Sequence, residues 1–97
     1  MSELKSYQMY INGEWVDAKD GKTFESVNPS TGKSWAIIPE AGETDVDAAV
    51  QSAYRAFSDG PWPKMTATER GKLLRRLADV LAEHSETLGH SETVDTG

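Results

Sequence analysis

Cysteine is missing altogether from the 97 residues. The chain therefore has no disulfide, no thiolate metal site and no cysteine nucleophile of its own. Cationic charge is scarce: 10 Lys and Arg stand against 16 Asp and Glu, for a formal net charge of −6. That balance lacks the electrostatic footprint a phosphate backbone demands, so nucleic acid is excluded as an expected partner. No apolar run approaches the roughly 20 residues a membrane span needs. The opening stretch MSELKSYQMYING has no apolar signal-peptide core. The expectation is no membrane partner and a cytoplasmic location.

Several chemical motifs are missing too. There is no G-x-G-x-x-G, the usual dinucleotide fingerprint. Gly21-Lys22-Thr23 has the ending of a phosphate-binding loop, but Val16 stands where its first glycine belongs, and no strand–loop–helix context surrounds it. Pro29 forbids glycosylation at Asn28-Pro29-Ser30. His84 and His90 lie six apart, which does not align them on one helix face, so they read as solvent-facing. Asp45, Asp47, Glu83, Glu86 and Glu92 are better explained as helix-terminal and surface charges than as an acid–base pair. Trp15, Trp35 and Trp62 read as core or subunit contacts rather than a ligand platform. Arg70, Lys72, Arg75 and Arg76 read as a solvated helix face. No nucleophile–base pair, metal cage or phosphate loop emerges from the residues alone.

What is present is a change of hydrophobic period along the chain. Hydrophobic residues form 37% and charged residues 27%, which suits a folded segment of one domain at most. Asn12-Gly13 is a preferred pair for a two-residue turn, since both central positions of a type I′ turn need positive φ. Met9, Tyr10 and Ile11 before it and Trp15 and Val16 after it predict a β-hairpin. Asp20-Gly21 is a second turn candidate. Thr23–Val27 and Ser34–Pro39 read as further strands, separated by the Asn28–Gly32 loop.

From Thr44 the period becomes 3.6. Thr44-Asp45-Val46-Asp47 fits a capping pattern. Val46, Ala49, Val50, Ala53 and Phe57 then form one helical face that Gly60 ends. Thr66-Ala67-Thr68-Glu69 is a second capping box, with Met65 placed to begin a hydrophobic staple. Leu73, Leu74, Leu77, Val80 and Leu81 form the expected buried stripe of that helix. A break near His84-Ser85 and a short helix over 86–94, weakened by Gly89, complete the pattern. The fold class is α/β: a hairpin and short strands, then two or three amphipathic helices. The organisation reads as a tail over 1–6, strands over 7–39 and helices over 44–95. So short a chain offers little to cover Trp15, Phe24, Trp35, Ile37 and two helical faces, so it reads as part of a larger domain.

Taken in order, these segments resemble the opening of the aldehyde dehydrogenase superfamily. The resemblance rests on YINGEWVDAKDGKTFESVNPSTGK, DVDAAVQSAYRAF, WPKMTATERGKLLRRLADVLAEH and ETVDTG, and it runs from Tyr7 to Gly97. ETVDTG is similar to the family's ETLDTG, with Val94 for leucine. Gly89-His90 departs from the family's helix formers. The resemblance implies the N-terminal part of a coenzyme-binding domain in a longer enzyme. That enzyme would oxidise an aldehyde to a carboxylic acid with NAD or NADP, as a homodimer or homotetramer. The family's catalytic cysteine, glutamate base and main coenzyme contacts would lie downstream, which leaves this segment a scaffold without catalytic or coenzyme-binding residues. The competing expectation is a free-standing acidic interaction module that shares ancestry with the family.

The resemblance also implies a metal site. Some members, betaine-aldehyde types among them, hold a structural K⁺ or Na⁺ between the strand before NP and the aspartate of ETLDTG. The matching residues are Ser26, Val27 and Asp95. The first two would offer backbone carbonyls, freed from the ladder where Asn28-Pro29 ends the strand, and Asp95 a carboxylate. A hard monovalent cation favours such oxygen donors. The alternative is that Asp95 caps a turn or helix end.

Overall fold

The computed structural model describes residues 4–97. In chain order the strands are β1 (Lys5–Ser6), β2 (Met9–Ile11), β3 (Glu14–Val16), β4 (Thr23–Asn28) and β5 (Lys33–Pro39). Three helices follow: α1 (Glu43–Asp59), α2 (Ala67–Glu83) and α3 (Ser85–Thr96), with a 3₁₀ turn at Trp62–Lys64 between the first two. The α/β class and the order of strands before helices are as expected.

The β2–β3 hairpin forms at Asn12-Gly13, where φ is 53° and 77°. Those paired positive angles match the right-handed strand twist, and Asn and Gly tolerate them best. Tyr10 pairs with Trp15 across the ladder, and their rings sit 4.8 Å apart. The β4–β5 hairpin closes differently. The Asn28 carbonyl accepts from Gly32 N–H at 2.8 Å, and the Asn28 side chain accepts from Ser30 N–H at 2.9 Å. Gly32 takes φ 71° to re-enter the ladder.

β4 and β5 run antiparallel, and β1 adds to the far edge of β5 in parallel, giving the order β1-β5-β4. Lys5 and Ser6 pair with Ala36 and Ile37, so the tail expected over 1–6 is a strand at those two positions. Residues 1–3 of that tail lie outside the described residues. A two-residue strand has no periodicity to read. It forms because β5 offers a free edge, and Tyr7 N–H extends the pairing to the Ile37 carbonyl at 3.0 Å.

The start of α1 differs from expectation. Gly42, not Thr44, is the N-cap. The Asp45 carboxylate accepts Gly42 N–H at 2.9 Å and Lys19 N–H at 3.1 Å. Asp45 is only 9% exposed. One side chain thus caps the helix and ties it to the loop before β4, which a local motif cannot reveal. At α2 the cap is as expected: Thr66 Oγ1 accepts Glu69 N–H at 3.2 Å. The staple expected from Met65 is absent, because its partner position holds Arg70. That guanidinium instead donates to the Met65 carbonyl at 2.6 Å. His84, at φ −107° and ψ 18°, breaks the helix and starts α3.

The expected buried stripes are not buried. Phe57 is 78% exposed and Leu77 53%; Val46, Val50, Leu73, Leu74, Val80 and Leu81 are exposed as well. Trp15, at 67%, and Phe24 are also open. Ala18 and Ala36 are the buried hydrophobic residues among those described. The accessible surface is 7966 Å², whereas a compact chain of this mass exposes about 5,500 Å². The radius of gyration is 17.1 Å, against about 12.5 Å for a compact chain of this length. Sequence periodicity marked apolar helical faces, and among the described residues no layer covers them.

Candidate functional site

The ends of the chain's ordered motifs meet at one corner. α3 lies against β4, bringing Asp95 to the sheet. There Asp95 Oδ1 accepts a hydrogen bond from Ser26 Oγ and another from Trp35 Nε1, the latter at 3.2 Å. Gly97, at φ 82°, sits against the Pro29 ring, and its carbonyl accepts from Ser30 Oγ at 3.1 Å. The corner is thus closed by the last turn of α3 and the loop between β4 and β5.

Trp35 reaches Asp95 because of a β-bulge. Ser26 pairs with Ala36, but Val27 pairs with Ser34, so the register skips Trp35. An extra residue in one strand bends it and redirects the side chain. Trp35 also packs edge-on against Tyr7, with ring centroids 6.0 Å apart at 71°. Lys5 Nζ lies 5.3 Å over the Tyr7 ring, a cation–π contact. Between sheet and helix runs an open groove of about 330 Å³, lined by Tyr7, Trp35, Ile38, Ser91, Glu92 and Asp95.

Of the three residues expected at a cation site, the structure brings two into contact. Ser26 and Asp95 meet through the serine hydroxyl, not through the strand carbonyl. Val27 follows Ser26 across the bulge, with its side chain exposed. β4 continues to Asn28, paired with Lys33, so Asn28-Pro29 does not free the Val27 position from the ladder. Asp95 lies inside α3, not at its cap, so its role is to tie helix to sheet. The donor set is all oxygen on the protein side, which suits a hard cation. Asp95 Oδ2 makes none of the bonds described above. Among the described residues, no group of three or more His, Asp or Glu side chains is arranged to hold a metal. His84 and His90 are exposed, as expected. Sequence reasoning missed Trp35 as a partner of Asp95; the bulge that aims it has no local signature. The Ser30–Gly97 bond was missed as well.

These elements form part of an α/β domain, and they superpose on the N-terminal part of the Rossmann-like domain in solved enzymes. The chain belongs to the aldehyde dehydrogenase family, whose model matches residues 15–97. Aldehyde dehydrogenase family 2 member C4 of Arabidopsis thaliana is 44% identical over 97 residues, covering 100% of this chain and 19% of that protein. The NAD⁺ complex of aldehyde dehydrogenase from Bacillus cereus is 48% identical with a TM-score of 0.89, over 96% of this chain and 19% of that one. Betaine aldehyde dehydrogenase from Staphylococcus aureus, in complex with NAD⁺, is 39% identical with a TM-score of 0.88, over 96% and 19%. The chain therefore spans about a fifth of the length of these relatives.

Proposed function

We propose that these residues are the outer strands and first helices of the coenzyme-binding domain in a longer aldehyde dehydrogenase. That enzyme oxidises an aldehyde to a carboxylic acid, with NAD⁺ or NADP⁺ accepting the hydride. The observation that carries this reading is the match along 96% of the chain to an enzyme solved with NAD⁺ bound. The open apolar faces of α1 and α2 support it, since they are the surfaces a larger domain would cover. The role assigned to the segment itself is scaffolding. The chain has no cysteine for a thiolate nucleophile.

A chimera tests the reading. The Bacillus cereus enzyme would carry this chain in place of its own matching segment. The expected result is aldehyde-dependent reduction of NAD⁺ or NADP⁺ by the chimera and none by the 97-residue chain alone. A chimera that folds but reduces neither coenzyme refutes it.

The same reading includes a monovalent cation, K⁺ or Na⁺, beside Ser26, Val27 and Asp95. What supports it is the meeting of Ser26 with the Asp95 carboxylate, whose Oδ2 makes none of the bonds described above. The chimera is expected to melt higher in K⁺ than in tetramethylammonium at equal ionic strength, and its Asp95→Ala variant to show no such difference. A cation-indifferent chimera removes the site.

A further inference from the structure

Helix α3 has little reason to dock by apolar burial. Its large apolar residues, Leu88 and Val94, lie six apart and do not share one face. Leu88 is exposed, and no residue of α3 is fully buried. Gly89 weakens the helix from within. Twelve residues are marginal for an isolated helix in water. What does fix α3 is concentrated in its last turn. Asp95 accepts from Ser26 and Trp35, and the Gly97 carbonyl accepts from Ser30.

We propose that α3 is a latched strap: the Asp95 carboxylate, gripped by Ser26 Oγ and the Trp35 indole N–H, holds the helix on the β4–β5 hairpin, and loss of that grip releases the helix as a unit. The bulge in β5 is the structural provision for this latch, since it takes Trp35 out of register with β4 and redirects its side chain toward α3. A carboxylate shared by two donors makes charge-assisted bonds, stronger than neutral ones. Release opens the groove between Tyr7, Trp35 and Ile38 on the sheet and Ser91 and Glu92 on the helix. The helix is then held by the single Ser30–Gly97 bond at its end and by the junction at His84, where the helix axis already breaks.

The latch and the cation site share Asp95 but make different demands. A latch needs an acceptor and two donors. A cation site needs the carboxylate charge and responds to the ion supplied. Hydrogen–deuterium exchange of the 97-residue chain separates them, with the β4–β5 amides as internal reference. Asp95→Ala is expected to speed exchange across α3 about tenfold, with β4–β5 unchanged. Trp35→Phe and Ser26→Ala each give a smaller increase, and neither adds to Asp95→Ala. Asp95→Asn keeps an acceptor but loses the charge, and retains part of the protection. All of this holds equally in K⁺ and in tetramethylammonium for the 97-residue chain, because the cation site proposed for the chimera would draw further ligands from outside these residues. The proposal is overturned if α3 in the wild-type chain is no better protected than in Asp95→Ala. It is overturned equally if Asp95→Asn is as damaging as Asp95→Ala, or if protection of α3 follows the cation. The last outcome leaves the dehydrogenase reading intact.

Discussion

Leu77 sits in the middle of the α2 stripe, yet 53% of it is exposed. Truncating it therefore has different consequences in two settings. Burying a whole leucine side chain is worth about 1.5–3 kcal/mol. With half of that burial realised, Leu77→Ala should cost the 97-residue chain about 1 kcal/mol. Alanine's better helix propensity recovers a few tenths of that. In the Bacillus cereus chimera the proposed reading puts the rest of the domain over the stripe, so truncation would leave a cavity as well as removing contacts. The expected cost there is about 2–5 kcal/mol. Urea denaturation of both proteins, followed by far-UV circular dichroism and compared at constant slope, measures the two values. The reasoning is refuted if the cost is the same in both settings. It is refuted equally if the isolated chain suffers the larger loss, because the open face of α2 would then be packed in solution.

Two further substitutions test the helix starts. Thr66→Ala should cost about 1 kcal/mol in the same urea experiment, in chain and chimera alike, because the cap bond to Glu69 N–H is local to α2. Asp45→Ala should cost about 2–3 kcal/mol, since it leaves Gly42 N–H and Lys19 N–H without their carboxylate. Asp45→Asn should cost less, because one acceptor oxygen remains; an equal cost would show that the charge on Asp45 matters more than its two bonds.

Much of the fold was legible because it is local. Asn12-Gly13 dictates its turn through φ alone, and Thr66 and Glu69 meet within one helical turn. The break at His84-Ser85 shows where the 3.6 period fails. What escaped is what distant residues decide. Thr44-Asp45-Val46-Asp47 offered a plausible cap, yet Asp45 reaches back to Gly42 and across to Lys19, drawing the helix start forward. Lys5 and Ser6 become a strand only because β5 has an edge to fill. The site shows the same division. The motif resemblance marked Ser26 and Asp95, and the structure joins them. The bulge that adds Trp35 depends on the register of two strands, which no single segment encodes. Burial was misjudged for a related reason. Periodicity identifies an apolar face but does not say whether the chain holds the layer that covers it.

The central claim is that this chain is one part of a larger dehydrogenase domain, and its open apolar faces are the surfaces that join the rest. Co-expression with a Bacillus cereus aldehyde dehydrogenase lacking its matching N-terminal segment tests that claim most directly, with sedimentation velocity as the readout. The account predicts a stoichiometric complex that reduces NAD⁺ or NADP⁺ in the presence of an aldehyde, while neither piece does so alone. A chain that stays monomeric beside the truncated enzyme and binds no hydrophobic dye would contradict it. That result would favour a free-standing acidic module.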